Sequence, residues 1–151
     1  MDSRIKNVIL ILCIALLGIT SYGQELTVIT AHNIKFGNTG ILDKLISDEQ
    51  INECLGVADS KKYSYLAISI KLKSIESLRY FIERGADIEG VCADKTPLMY
   101  AAKYGQLDMV KYLVEKGANL NTSYEGKTAY HYAGRFNYPK IRRYLKEQNL
   151  K

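Results

Sequence analysis

The stretch that decides the fold reads Asp94-Lys-Thr-Pro-Leu-Met-Tyr-Ala-Ala-Lys-Tyr-Gly105, followed by Gln106-Leu-Asp-Met-Val-Lys-Tyr-Leu-Val-Glu-Lys-Gly-Ala-Asn-Leu-Asn121. Thr96 is a good N-cap, and Pro97 sits at the first helical position, where its missing N–H leaves no bond unmade. Leu98, Ala101 and Ala102 fall at helical spacing, and the small alanines let a neighbouring helix approach. Gly105 ends that segment. Met109, Val110, Leu113 and Val114 then recur at steps of three and four, predicting a second helix with one buried stripe that Gly117 closes. Ala118-Asn119-Leu120-Asn121 leads out as an extended loop.

The same signals return at intervals of 32 residues on both sides. Upstream, Ser64, Leu66, Leu78, Tyr80, Phe81, Glu83 and the run Gly85-Ala86-Asp87-Ile88 stand at matching places. Downstream, Gly126, Thr128, Tyr130, Ala133, Ile141, Tyr144 and Leu145 do so. Self-similarity at such a period is the signature of a repeat array in which each unit buries its apolar face on its neighbours.

Thr-Pro-Leu-Met-Tyr-Ala-Ala, a glycine, an apolar helix and Gly-Ala-Asn-Leu-Asn resemble the ankyrin repeat, whose pattern runs T-P-L-H-x-A-A through G-A-D-V-N. The resemblance is strongest over 94–121, good over 60–93 and weaker over 122–148. It implies an all-α solenoid of helix-turn-helix units with short hairpin loops, about three and a half repeats long. Each unit is one residue shorter than the usual length of about 33, which predicts tight or irregular hairpin tips. The domains expected are 1–23 as a signal peptide and 24–151 as the repeat domain. The latter divides into a degenerate cap repeat over 24–59, repeats over 60–91 and 92–123, and a C-terminal cap repeat over 124–151. In the first cap, Ile41, Leu42, Leu45, Ile46 and Ile51-Asn52 read as the second helix and exit loop of a degenerate unit beginning near Leu26. In the last, Pro139 marks the start of the final helix, and Arg142, Arg143, Lys146 and Glu147 replace an apolar outer surface.

Residues 1–23 carry the leader reading: Arg4 and Lys6 precede an unbroken apolar run from Val8 to Ile19, and Ser21 and Gly23 flank a cut before Gln24. The run falls short of the ~20 residues of a spanning helix, so cleavage is favoured over a retained anchor. Leu12 before Cys13, with apolar sequence continuing beyond, argues against lipidation. These features predict a bacterial periplasmic or secreted protein with no membrane span after cleavage.

The chain has 151 residues, 21 Lys and Arg against 16 Asp and Glu, for a net charge of +5. Removing Arg4, Lys6 and Asp2 with the leader leaves 19 basic and 15 acidic residues. That bias favours an anionic partner without determining the fold. It also leaves Cys54 and Cys92, in corresponding loops of adjacent units, in an oxidising compartment. Stacked units sit roughly 10 Å apart, whereas a disulfide needs Cα atoms within ~7 Å. The spacing therefore favours two unbridged thiols over a pair.

Chemistry is sparse in the sequence. His131, fourth in Thr128-Ala129-Tyr130-His131, has a structural role by the resemblance, and His32 lies far from it. No grouped carboxylates, cysteine with histidine or glycine-rich phosphate loop occurs at workable spacing, so no catalytic residue, metal site or cofactor is expected. Asn121-Thr122-Ser123 fits a glycosylation sequon, but the resemblance gives Asn121 a loop-ordering role.

Function then falls to the surface. The resemblance implies partner binding on a concave side built from hairpin tips and first-helix flanks. There lie Lys61, Lys62, Tyr63 and Lys71, then Ala93, Lys95, Lys103 and Tyr104, then Tyr124, Glu125, Lys127, Arg135 and Phe136. Aromatic residues and arginine anchor interfaces, and lysines steer an acidic partner. The partner-binding set is thus Tyr63, Lys71, Lys95, Lys103, Tyr104, Tyr124, Lys127, Arg135 and Phe136. The expectation is a protein, monomeric when free, that binds an acidic protein partner, as an immunity or inhibitor protein does. No small-molecule substrate is expected. A surface or periplasmic scaffold and a polyanion-binding module are the alternatives. Nucleic acid is disfavoured by the leader and would show a loss of about 0.9 log units in affinity, per log unit of salt, for each phosphate contact.

Overall fold

The computed structural model describes residues 26–57 and 61–150; the leader assigned to 1–23 and its cleavage site lie outside them. Eight α-helices stand among the described residues: α1 (Val28–Phe36), α2 (Thr39–Leu45), α3 (Tyr65–Lys71), α4 (Ile75–Glu83), α5 (Pro97–Lys103), α6 (Leu107–Glu115), α7 (Ala129–Arg135) and α8 (Pro139–Gln148). They form four pairs, each first helix packed on its own second helix and on the first helix of the adjacent pair. The fold is all-α and repetitive, with very little strand.

Each first helix starts on a hydroxyl. Thr27, Ser64 and Thr96 accept from the amides of Thr30, Ala67 and Met99 at 3.1, 3.2 and 3.3 Å. Those contacts satisfy one of the amides a helix N-terminus leaves unpaired. Each first helix ends alike. Lys73, Gly105 and Asn137, 32 residues apart, have φ of 61°, 71° and 59°. The following amide reaches back across the turn from Ser74 to Ser69, Gln106 to Ala101 and Tyr138 to Ala133, at 3.0, 3.0 and 2.8 Å. That 6→1 bond is the Schellman closure, whose left-handed residue favours glycine. At Gly105 the demand is doubled, because a Cβ there would fall 2.4 Å from the Tyr138 ring.

The helix pairs enclose one apolar core. Leu66, Ile70, Leu78, Phe81, Leu98, Ala101, Met109, Val110, Leu113, Ala133, Ile141 and Leu145 are all buried. Of the stripe assigned to α6, Met109, Val110 and Leu113 are buried, Val114 is only partly covered, and Tyr112 is buried in addition.

Three expectations need correction. The N-terminal unit is a whole helix pair, since α1 forms from Thr27 onward, so there are four pairs rather than three and a half. Read as a cap, that unit is expected to turn polar residues to solvent, and it turns large apolar ones out as well. Val28, Phe36, Ile41 and Leu45 are exposed there, whereas α8 turns Arg142, Arg143, Lys146 and Glu147 to solvent.

The third correction concerns Cys54 and Cys92, which are bridged with Cα atoms 5.5 Å apart. The spacing of equivalent helices did not apply to them, because the exit loop of the second pair folds back on the first. Asn52 accepts from the Asp87 amide at 2.7 Å and donates to the Gly85 carbonyl at 3.5 Å, which carries Cys92 toward Cys54. The same junction holds Arg84, whose guanidinium reaches Asp48 (Nε to Oδ1 2.9 Å), Asp43 (3.5 Å) and the Ile46 carbonyl (3.2 Å). One pair further on, Glu89 accepts from the Asn119 amide and the Thr122 hydroxyl at 2.8 and 3.0 Å. Loop ordering there falls to Asn119, whose side chain accepts from the Asn121 amide at 2.9 Å.

The last hairpin tip is tight, as the shortened repeat predicted. β1 (Leu55–Gly56) pairs antiparallel with β2 (Lys62–Tyr63). Tyr124 and Lys127 bridge across Glu125 and Gly126, both at positive φ (49° and 69°). That is the two-residue hairpin whose twist requires left-handed central residues.

Candidate functional site

Repetition in sequence becomes alignment in space. Lys71, Lys103 and Arg135 stand 32 residues apart as the last residues of α3, α5 and α7, so one cation column runs along the tip-side edge of the stack. A second column runs Leu72, Tyr104, Phe136 and a third runs Tyr63, Lys95, Lys127. The result interleaves rings and amines. The Lys71 ammonium lies 3.6 Å from the Tyr63 centroid, and the Lys103 ammonium lies 5.5 Å from Tyr104 and 5.8 Å from Phe136. Tyr104 stacks on Tyr100 at 6.3 Å, and Tyr100 meets the Tyr63 ring edge at 5.9 Å.

Six of the nine expected binding residues, Lys95, Lys103, Tyr124, Lys127, Arg135 and Phe136, line one open hollow of about 250 Å³ between the last two tips. Asp94, Glu125 and Tyr132 complete its walls. Lys71 and Tyr104 lie outside it on the same interleaved face. Tyr63 is a correction: only 5% exposed, it is floor beneath Lys71, not a free anchor. Lys95 is also committed. Its side chain is 10% exposed, it pairs with Asp94, and its ammonium sits 5.4 to 5.8 Å from the centroids of Tyr132, Tyr124 and Tyr100.

The electrostatics follow from that pairing. Burial opposes the Asp94 charge, but hydrogen bonds from Lys95 and Tyr100, with the charges of Lys95 and Lys61, hold its carboxyl below the ordinary value. Burial and the hydrogen bond to Asp94 push the Tyr100 hydroxyl up. Burial works against Lys95 too, and Asp94 with Tyr132 overcomes it, holding Lys95 above the usual lysine value. Lys103 has no such partner among the described residues. Burial first, then the charges of Lys95, Lys61 and Lys71, draw it below the usual value, offset only in part by Asp94.

Tyr100, Tyr132 and Asp94 were missing from the expected site. The signal was available for the first two, which are themselves 32 residues apart and sit four residues after the caps Thr96 and Thr128, where a helical turn brings the side chain back over the tip.

A larger hollow of about 400 Å³ opens at the C-terminal end between Leu120, Tyr130, Leu145 and Leu150. His131 borders it, but its Nδ1 is held 3.2 Å from the Thr128 amide and 3.0 Å from the Thr128 hydroxyl, a capping contact that explains the residue. Among the described residues no group of three His, Cys, Asp or Glu side chains could hold a metal ion, and no helix is long and apolar enough to cross a membrane. Residues 89–151 match the family model described as ankyrin repeats (3 copies). The helix pairs ahead of that span, α1 to α4, repeat its hydroxyl caps and left-handed turns. No curated protein matches the chain.

Proposed function

We propose that this ankyrin-repeat protein, a protein–protein interaction module by its family, is exported and holds one acidic protein partner on its basic, aromatic face. The reading takes it as a stoichiometric binder of the immunity or inhibitor kind, with no chemistry of its own. One observation carries it: Lys71, Lys103 and Arg135 align along an aromatic floor whose adjacent half-buried carboxylate, Asp94, is already spent on Lys95 and Tyr100. An unmatched cation row steers an anionic surface. Rigid rings beside it supply the area that anchors interfaces at small entropic cost. Export is supported by the charged, apolar and small-residue order of residues 4–23, and by a disulfide of the kind that persists in oxidising compartments.

The exposed Val28, Phe36, Ile41 and Leu45 favour the scaffold alternative, because they offer a second surface at the far end of the stack. The two readings separate by site-specific photocrosslinking in the source cells, with the crosslinker placed at Tyr104, Ile41 or Arg143. Adducts at Tyr104 alone support the single-face binder. Adducts at both Tyr104 and Ile41 support the scaffold, and adducts at none but Arg143 remove both.

A further inference from the structure

The hollow between the last two tips indicates what kind of group the partner offers. Its walls hold four cations, Lys95, Lys103, Lys127 and Arg135, and two carboxylates, Asp94 and Glu125, a surplus of two positive charges. The carboxylates are unequal. Asp94 is bound to Lys95 and accepts from the Tyr100 hydroxyl at 2.9 Å, so it repels an arriving anion little. Glu125 reaches Lys127 at 3.6 Å with both side chains well exposed (65% and 42%), a pairing that solvent weakens and an incoming group can displace. Lys103 and Arg135 make no ion pair among the described residues. Arg135 offers a planar fork suited to a carboxylate. Phe136 and Tyr124, 40% and 37% exposed, stand beside it as apolar walls for a methylene stem.

Size narrows the occupant further. About 250 Å³ is below the roughly 300–1,000 Å³ of pockets that enclose a free small molecule. The hollow therefore suits side chains projecting from a larger body. Resting on the interaction reading above, we infer that the cavity takes two neighbouring Asp or Glu side chains from one segment of the partner, seated between Lys103, Lys127 and Arg135 with their stems against Phe136 and Tyr124.

The test titrates the full mature chain, labelled with 15N and 13C, with the peptide acetyl-Gly-Glu-Ala-Glu-Gly-amide and with its double-Gln counterpart. The inference expects saturable shifts of the Arg135 side-chain N–H and of the Tyr124, Tyr132 and Phe136 ring signals with the Glu peptide only. Lys103→Ala combined with Arg135→Ala should weaken binding at least tenfold while keeping the helical circular-dichroism spectrum, and Lys44→Ala, on α2 and away from the hollow, should change it less than twofold. Equal shifts with the Gln peptide, or shifts spread over every lysine, overturn the inference. Stronger shifts of the same signals with inorganic phosphate or a single-stranded DNA 12-mer also overturn it, by assigning the cations to phosphate. If the peptide fails while crosslinks at Tyr104 still capture a protein, only the acidic-pair inference falls. If both fail, the interaction face falls with it.

Discussion

Replacing both Cys54 and Cys92 with serine removes the disulfide that cross-links the exit loops of the first two helix pairs. Its effect can be worked from the chain separation of 38 residues. Closing a loop of that length removes about 13 cal/mol/K from the unfolded ensemble, or about 4 kcal/mol at 25 °C. For a domain of this size that is a drop in Tm of roughly 15 °C. The native contacts at the junction survive the change: Arg84 with Asp43 and Asp48, Asn52 with Asp87, and the Ser77 hydroxyl on the Ile34 carbonyl at 2.6 Å. The variant should therefore fold as the parent does and lose stability only. Urea melts of the parent, the parent with reductant and the double variant give the numbers, and mass spectrometry after alkylation gives the thiol state. Equal losses are expected for reduction and for the double variant, at an m-value equal to the parent's or somewhat higher, because the unbridged chain unfolds to a more open ensemble. A loss below about 1 kcal/mol with the parent fully bridged would refute the loop-closure argument. Two alkylated thiols in the untreated parent would refute the bridge itself. A fall in m-value would show the first pair melting on its own.

Other perturbations test other links. Leu113→Ala, at a fully buried position of α6, should cost about 2–5 kcal/mol by urea melt, and an unchanged midpoint would contradict the register given to that helix. Lys73→Gly relieves a side chain at φ 61° and should raise stability by about 1 kcal/mol, unless the turn gains its conformation from contacts of the lysine itself. Tyr112→Phe removes a buried hydroxyl with no hydrogen-bond partner among the described residues, so thermal melts should show stability held or raised by about 1 kcal/mol; a clear loss would reveal a bond the Tyr112 hydroxyl makes. Asp94, held below its ordinary value, contributes stability that is present above the unfolded carboxylate pKa of about 3.9 and is lost as pH falls through its folded value. The stability gap between the parent and Asp94→Asn should be full at pH 7 and close in acid. A gap that persists below pH 2 would contradict the sign.

The repeat was legible because its start and stop signals are local. Thr96 with Pro97, and glycine at 105 and 117, specify caps and left-handed turns whatever surrounds them. α1 was not legible. Its sequence is apolar outside as well as inside, with Val28 and Phe36 exposed and Ile34 buried, so no one-sided stripe marks it. The cation column was legible from the 32-residue interval, since each member ends a first helix. What the interval could not show is which residues of the neighbouring column, Tyr63, Lys95 and Lys127, are already satisfied. Tyr63 went under Lys71, and Lys95 went to Asp94, its own neighbour in sequence. The disulfide was hidden for a related reason, because it depends on a loop folded back by Asn52 and not on the distance between helices.

The most direct test of the interaction face is charge reversal of its cation column. Lys71→Glu, Lys103→Glu and Arg135→Glu are introduced together into the tagged chain, and the proteins it retains from an extract of the source cells are compared with those of the parent. The account predicts one acidic protein bound stoichiometrically by the parent, released by raised salt, and lost from a variant that keeps the parent's helical spectrum. The same proteins retained equally by both chains would contradict it.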